Sequence, residues 1–313
     1  MTKQKNQIRV GITGANGFVG DALCKHLIKK GFSLASVTRT AHGQPDIDNF
    51  VVPSFTDQAG LTAAFRNCDV VVILAAKTHS GTEPTKEILQ QYRQDNLDTA
   101  VTTFKAAAEA GVKRLIYLSS IKVIGESTSG IPFSASSIPN PEDAYGITKL
   151  ETEQALQKLV SSSELALTII RPPLIYGPGV KGNLRKLESA IKRGLPLPFA
   201  SIRNKRALVS LERLCDLIRV CLTHPKAAGG VFLVSDGISR STPDIIRMLA
   251  TGAERKPILL PCPVSLLKLT GTLLGKQTQI SRLIGDLEVD IGDTCRTLNW
   301  HPESIEHLSG IES

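Results

Sequence analysis

The chain has 313 residues, 42% of them hydrophobic and 21% charged, with a net charge of +8. These values describe an ordinary globular protein, long enough for one large α/β domain or a main domain with a smaller lobe. No apolar run is long enough to span a bilayer as a helix, so no integral membrane segment is expected.

Met1 to Gln7 is polar and leads straight into strand-like sequence, so no signal peptide is expected and the protein is read as cytoplasmic. Cys24, Cys68, Cys215, Cys221, Cys262 and Cys295 form no C-x-x-C pair, and the histidines are scattered. That pattern points to reduced thiols and to no metal site. Only 4% of residues are aromatic, so the stacking platform of a single-strand binder is missing and no nucleic-acid partner is expected.

In chain order, Ile8–Thr13 reads as a buried strand. It runs into Gly14-Ala15-Asn16-Gly17-Phe18-Val19-Gly20 and then an amphipathic stretch from Asp21 to Lys30. Strand, glycine-rich turn and helix start in that order make a site for a dinucleotide pyrophosphate. The spacing is G-x-x-G-x-x-G rather than G-x-G-x-x-G. The next strand, ending at Thr38, should finish beside the adenine ribose. An acid there would bind a 2′-hydroxyl, whereas an Arg accommodates a 2′-phosphate. The chain offers Thr38-Arg39-Thr40, so NADP(H) is favoured over NAD(H), which stays open.

Further strands are expected at Val70–Ala75, Arg114–Ser119 and Leu167–Arg171, with helices at Gln58–Arg66, Ile88–Ala110 and Tyr145–Ser161. Such alternation means a Rossmann-like, doubly wound parallel sheet with helices on both faces. Ligands then gather outside the carboxyl ends of the strands, where Ala75-Ala76-Lys77, Ser119-Ser120 and Arg171-Pro172-Pro173 fall.

After Gly177-Pro178-Gly179 the alternation breaks. Residues 1–176 are therefore read as the dinucleotide-binding domain with the catalytic residues. Residues 177–313 are read as mainly a substrate-binding lobe, partly folded back on the sheet. Helices are expected at Leu184–Arg193 and Leu211–Thr223, with a strand at Val231–Val234. Val264–Leu274 is read as a docking helix of the lobe, with a membrane-surface role as the minor alternative. Much of the positive charge lies between Lys181 and Arg206, of which a diphosphate needs only two or three cations.

Tyr145 and Lys149 stand four apart, one helical turn on the same face. An ammonium beside a phenol favours the phenolate, and a nearby Ser hydroxyl can bond the same substrate oxygen. Ser120 lies twenty-five residues upstream.

Taken together, Gly14–Gly20, Leu74-Ala75-Ala76, Asp95-Asn96, Ser119–Gly125, Tyr145–Lys149 and Arg171–Gly179 resemble the extended short-chain dehydrogenase/reductases of the nucleotide-sugar epimerase/4-ketoreductase type. The resemblance selects Ser120 rather than Ser119 as the catalytic serine, with Tyr145 and Lys149. It implies a cofactor site built from Gly14, Asn16, Gly17, Phe18, Val19, Gly20, Arg39, Ala75, Ala76, Asn96, Tyr145, Lys149 and Pro172. The implied substrate contacts are Lys122, Asn183, Leu184, Arg206 and Arg282, the two arginines on a diphosphate. Ser119–Glu126 and Gly177–Asn183 are similar to a bacterial subgroup that reduces the 4-keto group of UDP-2-acetamido-2,6-dideoxy sugars for surface polysaccharide. NADP(H)-dependent 4-ketoreduction is thus the expected function. A UDP-hexose or UDP-N-acetylhexosamine 4-epimerase with bound NAD is the alternative, and a non-catalytic NADP(H) sensor a third reading. The expected partner is a small nucleotide sugar. A homodimer through Ile88–Ala110 and Tyr145–Ser161 is also implied by the resemblance.

Overall fold

The structure, a computed structural model, describes residues 7–41, 44, 46–78 and 84–302. Strand β1 (Arg9–Thr13) leads into helix α1 (Phe18–Lys29), followed by β2 (Ser33–Thr38) and β3 (Asp48–Val51). Then come α2 (Gln58–Phe65), β4 (Val70–Ile73), α3 (Lys86–Tyr92) and α4 (Thr99–Glu109). Next are β5 (Arg114–Leu118), α5 (Ala144–Val160) and β6 (Ala166–Arg171). The apolar runs at β1, β2, β4, β5 and β6 are buried on both faces, as a parallel sheet covered by helices requires.

Beyond residue 171 the elements are β7 (Leu174–Tyr176), α6 (Asn183–Lys192), β8 (Arg206–Ser210), α7 (Leu211–Thr223) and β9 (Val231–Leu233). They are followed by β10 (Ser239–Arg240), α8 (Thr242–Gly252), α9 (Val264–Leu273), α10 (Gln277–Ile284) and α11 (Gly292–Leu298). The main sheet has order β3-β2-β1-β4-β5-β6-β9 and all its pairs are parallel. The order reverses between β1 and β4, which opens a ligand crevice at their carboxyl ends. Strands β10, β8 and β7 form a small second sheet.

One apolar cluster fills the α1/α7 side of the main sheet and a second fills the α2/α4/α5 side. A third, around Tyr176, Leu184, Leu208 and Ile246, is the core of the lobe. Because β9 joins the main sheet and α7 packs on α1, the later part of the chain contributes to both bodies.

Several details depart from expectation. The helix expected over Ile88–Ala110 is interrupted by a π-helical turn, Arg93–Asp98, between α3 and α4. Strand β3, a short exposed edge, was absent from the expected elements. The expected docking helix at Val264–Leu274 docks weakly, since only Leu267 and Gly271 are buried along α9. The free cysteines are Cys24, Cys68, Cys215, Cys221, Cys262 and Cys295, and no metal-ligand cluster occurs among the described residues.

The glycine-rich turn explains its own composition. Gly14 has φ of 73°, and a Cβ on it would lie 2.9 Å from the Ala75 nitrogen. A Cβ on Gly20 would drive into the Gly14 carbonyl oxygen and sit 2.7 Å from the Ala15 Cα. Both obstacles are backbone. Gly20→Ala should therefore destabilise the protein by about 1–3 kcal/mol, despite alanine's better helix propensity. Chemical denaturation would show a lowered midpoint.

Candidate active site

The site lies where β4, β5 and β6 end. At the close of β5 the backbone leaves the sheet through Ser119 and Ser120, and Ser120 caps the 3₁₀ turn Ile121–Val123 by accepting from the Lys122 amide at 3.3 Å. Helix α5 starts at Asp143, whose carboxylate accepts from the Gly146 amide at 2.8 Å. A Cβ on Gly146 would lie 2.7 Å from the Lys122 carbonyl oxygen, so the first turn of α5 sits directly on the Ser120 turn. That contact brings Tyr145 to Ser120.

Lys149 is buried, and its ammonium donates to the Leu118 carbonyl at 2.7 Å. Its Nζ stands 4.6 Å from the Tyr117 ring centroid and 5.8 Å from that of Tyr145. Burial lowers the Lys149 pKa to about 7, against a smaller opposing influence of Glu153. Burial also raises the Tyr145 phenol, with the Asp143 charge adding to the rise and a hydrogen bond with Ser120 opposing it. Lys149 is thus engaged by Leu118, and burial governs the Tyr145 phenol. The expected tuning needs further positive charge beside the phenol.

One turn later, Glu153 and Arg171 form a buried bidentate pair, at 3.0 and 2.5 Å, tying α5 to the end of β6. Asn96 lies in the π turn, a feature that recurs at functional sites. It accepts from the Lys77 amide at 2.7 Å and donates to the Lys77 carbonyl and to Thr148 Oγ1, each at 3.4 Å. It thus fixes the Ala75-Ala76-Lys77 loop against α5. Pro172 is buried and its carbonyl accepts from the Ile121 amide at 2.9 Å.

A dinucleotide fits these residues. Helix α1 begins at Gly17 without a side-chain cap, which leaves its first amides for an anion. Ser119 Oγ is buried without a partner beside Ser120. Asn16 is exposed and donates to Thr40 Oγ1 at 3.0 Å, whereas Phe18 and Val19 face inward onto the lobe core and the α1/α7 core. Arg39 is exposed, its guanidinium 5.9 Å from the Phe55 ring centroid. Gly14, Gly17 and Gly20 shape the turn, and Ala75 and Ala76 line the neighbouring strand end.

The expected substrate residues separate into two groups. Lys122 pairs with Glu126 and Asp143, both at 2.7 Å. Arg282 on α10 grips Glu126 at 2.7 and 2.8 Å and reaches Asp143 at 3.2 Å. Burial pushes the Asp143 carboxyl up, but Lys122, the Gly146 amide and Arg282 outweigh it and hold it below its ordinary value. Arg206 differs. It has one long bond, 3.4 Å to the Gly285 carbonyl, and no carboxylate partner among the described residues. Burial lowers its pKa. It is a desolvated guanidinium with donors to spare. Asn183 is exposed at the start of α6, while the Leu184 side chain is in the lobe core, so only its backbone is available to a nucleotide. Lys181, Arg185, Lys186, Lys192, Arg193, Arg203 and Lys205 are all exposed.

Asp143, Glu126 and Glu153 were missing from the expected site. Asp143 carried a legible sign, an acid three residues before a helical amide. Glu153 depends on Arg171, distant in sequence, and Glu126 on Arg282 as well as on Lys122 four residues before it.

Lys149 makes a stability prediction. Its folded pKa, about 7, is below its ordinary 10.5, so below about 7 both states are protonated and the burial penalty is full. As pH rises from about 7 towards 10.5, the folded chain loses the proton first and stability increases. Lys149→Met should stabilise the protein by about 2 kcal/mol at low pH, with the advantage shrinking as pH rises. Urea titrations of both proteins at about pH 6.5 and 8.5 measure that difference.

The chain is similar to known proteins over most of its length. A family model described as "NAD dependent epimerase/dehydratase family" matches residues 10–235. A UDP-glucose 4-epimerase of Vibrio cholerae is 43% identical over 294 residues, 93% of this chain and 90% of that protein. The N-acetyl-alpha-D-glucosaminyl-diphospho-ditrans,octacis-undecaprenol 4-epimerase of Escherichia coli O157:H7 is 25% identical, over 96% of this chain and 89% of its own. In fold, the chain is similar to the crystal structure of the Thermus thermophilus UDP-glucose 4-epimerase complex with NAD. That match has a TM-score of 0.74 and 20% identity, covering 95% of this chain and 94% of the other.

Proposed function

The chain belongs to the NAD dependent epimerase/dehydratase family, and from that premise we propose that it is a UDP-hexose 4-epimerase working on a retained NAD. The observation that carries this reading is the 43% identity to the Vibrio cholerae UDP-glucose 4-epimerase across 93% of the chain, with Ser120, Tyr145 and Lys149 all present. It displaces 4-ketoreduction with NADP(H) as the preferred function, since that expectation keeps mainly the missing carboxylate after β2 in its favour.

In this reading Gly14, Gly17 and Gly20 admit the pyrophosphate and Lys149 and Ser119 hold the nicotinamide half. When bound, the oxidised dinucleotide supplies a hydride acceptor and a positive charge near the phenol. Tyr145 takes the proton from the 4-hydroxyl, helped by that charge, while Ser120 bonds the same oxygen. The protonated Tyr145 then returns its proton to the oxygen after the keto sugar has turned over. Arg206 holds the diphosphate through charge-assisted bonds, so the sugar can rotate while its anchor stays fixed. Lys122 and Arg282 are already neutralised by Glu126 and Asp143 and act chiefly by holding that wall together. A specific observation favours a second form of substrate: the helix next to Arg282, α9, bares leucines. The sugar diphosphate would then be carried on a polyprenyl chain, as named for the Escherichia coli relative.

Purified protein should interconvert UDP-glucose and UDP-galactose without added cofactor. Tyr145→Phe should lower kcat by roughly 10²–10⁴-fold with little change in KM. Product formation only on adding NADPH and a 4-keto sugar would overturn the proposal. Arg39→Ala should weaken NADP(H) binding about tenfold and leave NAD binding nearly unchanged, measured by calorimetry of cofactor-stripped protein.

A further inference from the structure

The outer face of α9 has no partner among the described residues. Leu267 and Gly271 point inward, and a Cβ on Gly271 would lie 2.8 Å from the Ile280 side chain of α10. Leu266, Leu269 and Leu273 are 48%, 56% and 76% exposed. Their i, i+3, i+7 spacing puts them on one stripe, turned away from the buried pair. Leu274, at the helix end, is also 69% exposed. Single exposed leucines are ordinary, whereas a contiguous row on one helix marks an interaction surface.

Charge decides what covers it. From Arg255 to Gly285 the sequence contains no Asp or Glu. Arg255, Lys256, Lys268 and Lys276 are exposed and make no ion pair among the described residues. A second copy of the chain would set these cations against their own kind. An anionic surface with an apolar interior satisfies both the lysines and the leucines. We propose that α9 docks the protein on an anionic phospholipid bilayer, lying in the interface with its leucine stripe below the headgroups. No helix among the described residues is long and apolar enough to cross a membrane, so the attachment is peripheral. Helix α10, packed on α9, carries Arg282 into the Glu126–Asp143 wall. Docking would thereby place the proposed diphosphate site close to the headgroups. Only this last consequence rests on the proposed function.

The test is sedimentation of the full chain with vesicles of phosphatidylglycerol and phosphatidylcholine in equal parts, or of phosphatidylcholine alone. The expected result is at least about tenfold stronger partitioning to the anionic vesicles, reversed by about 0.5 M salt. The double variant Leu269→Glu/Leu273→Glu should lose about tenfold in binding, and Lys268→Gln/Lys276→Gln should lose less. Both should keep their melting temperature and turnover of soluble UDP-sugar. A protein that stays in the supernatant with anionic vesicles overturns the proposal. So does a dimer in solution that Leu269→Glu/Leu273→Glu splits while vesicle binding is unchanged, since a second copy would then cover the face. A wild-type chain that epimerises but fails to bind anionic vesicles counts against docking alone, and a wild-type chain that binds vesicles without epimerising counts against the enzymatic reading alone.

Discussion

Helix α5 is held at two points by groups that dislike being buried, and the site exists because of that anchoring. Lys149 Nζ donates to the Leu118 carbonyl at the end of β5, and Glu153 pairs with Arg171 at the end of β6. Both contacts lie inside the protein, where desolvation opposes charge and where losing one member of the Glu153–Arg171 pair would strand the other. The arrangement sacrifices stability to fix the rotation and depth of one helix. Tyr145 is on the first turn of that helix, Thr148 bonds the Asn96 strut, and Asp143 caps it from below. A slip of α5 along the sheet would break all of these together.

The same anchoring explains the electrostatics of the site. Lys149 is engaged by its carbonyl partner, and burial pushes the Tyr145 phenol up. On the proposed function, the positive charge of a retained nicotinamide would supply the influence on the phenol that Lys149 does not, so the phenol would be primed only with the hydride acceptor in place. The substrate wall follows a related logic. Two of its cations are neutralised within the protein, while Arg206 keeps its donors for an anion. On the proposed function, Arg206 would give a single firm grip on the diphosphate and leave the sugar end free to turn.

Much of this was legible in the residues. Each of the five long apolar runs became a strand of the parallel sheet, because burial on both faces demands continuous hydrophobicity, and the glycine turn had its own steric necessity at Gly14 and Gly20. The Tyr145/Lys149 spacing pointed to a shared helical face. What escaped was set by tertiary contact. Strand β3 is four mostly exposed residues whose pairing with β2 supplies the order that its sequence lacks. The π turn leaves apolar periodicity almost unchanged while shifting one residue, and it is that shift which turns Asn96 inward. Val264–Leu274 was expected to dock because it is apolar, yet hydrophobicity alone does not say which way a helix faces. Arg282 looked like a free cation in sequence because Glu126 and Asp143 are brought to it by the fold, and Lys122 because Asp143 reaches it from α5 while only its Glu126 pair is local.

The central claim is that hydride leaves C4 of the sugar and returns to it on one retained cofactor. The direct measurement is turnover of UDP-glucose deuterated at C4, with no cofactor added, followed by NMR of the UDP-galactose formed. The account predicts that the deuterium stays at C4 of the product. Label lost from C4, or no turnover until NADPH and a 4-keto sugar are supplied, would contradict it.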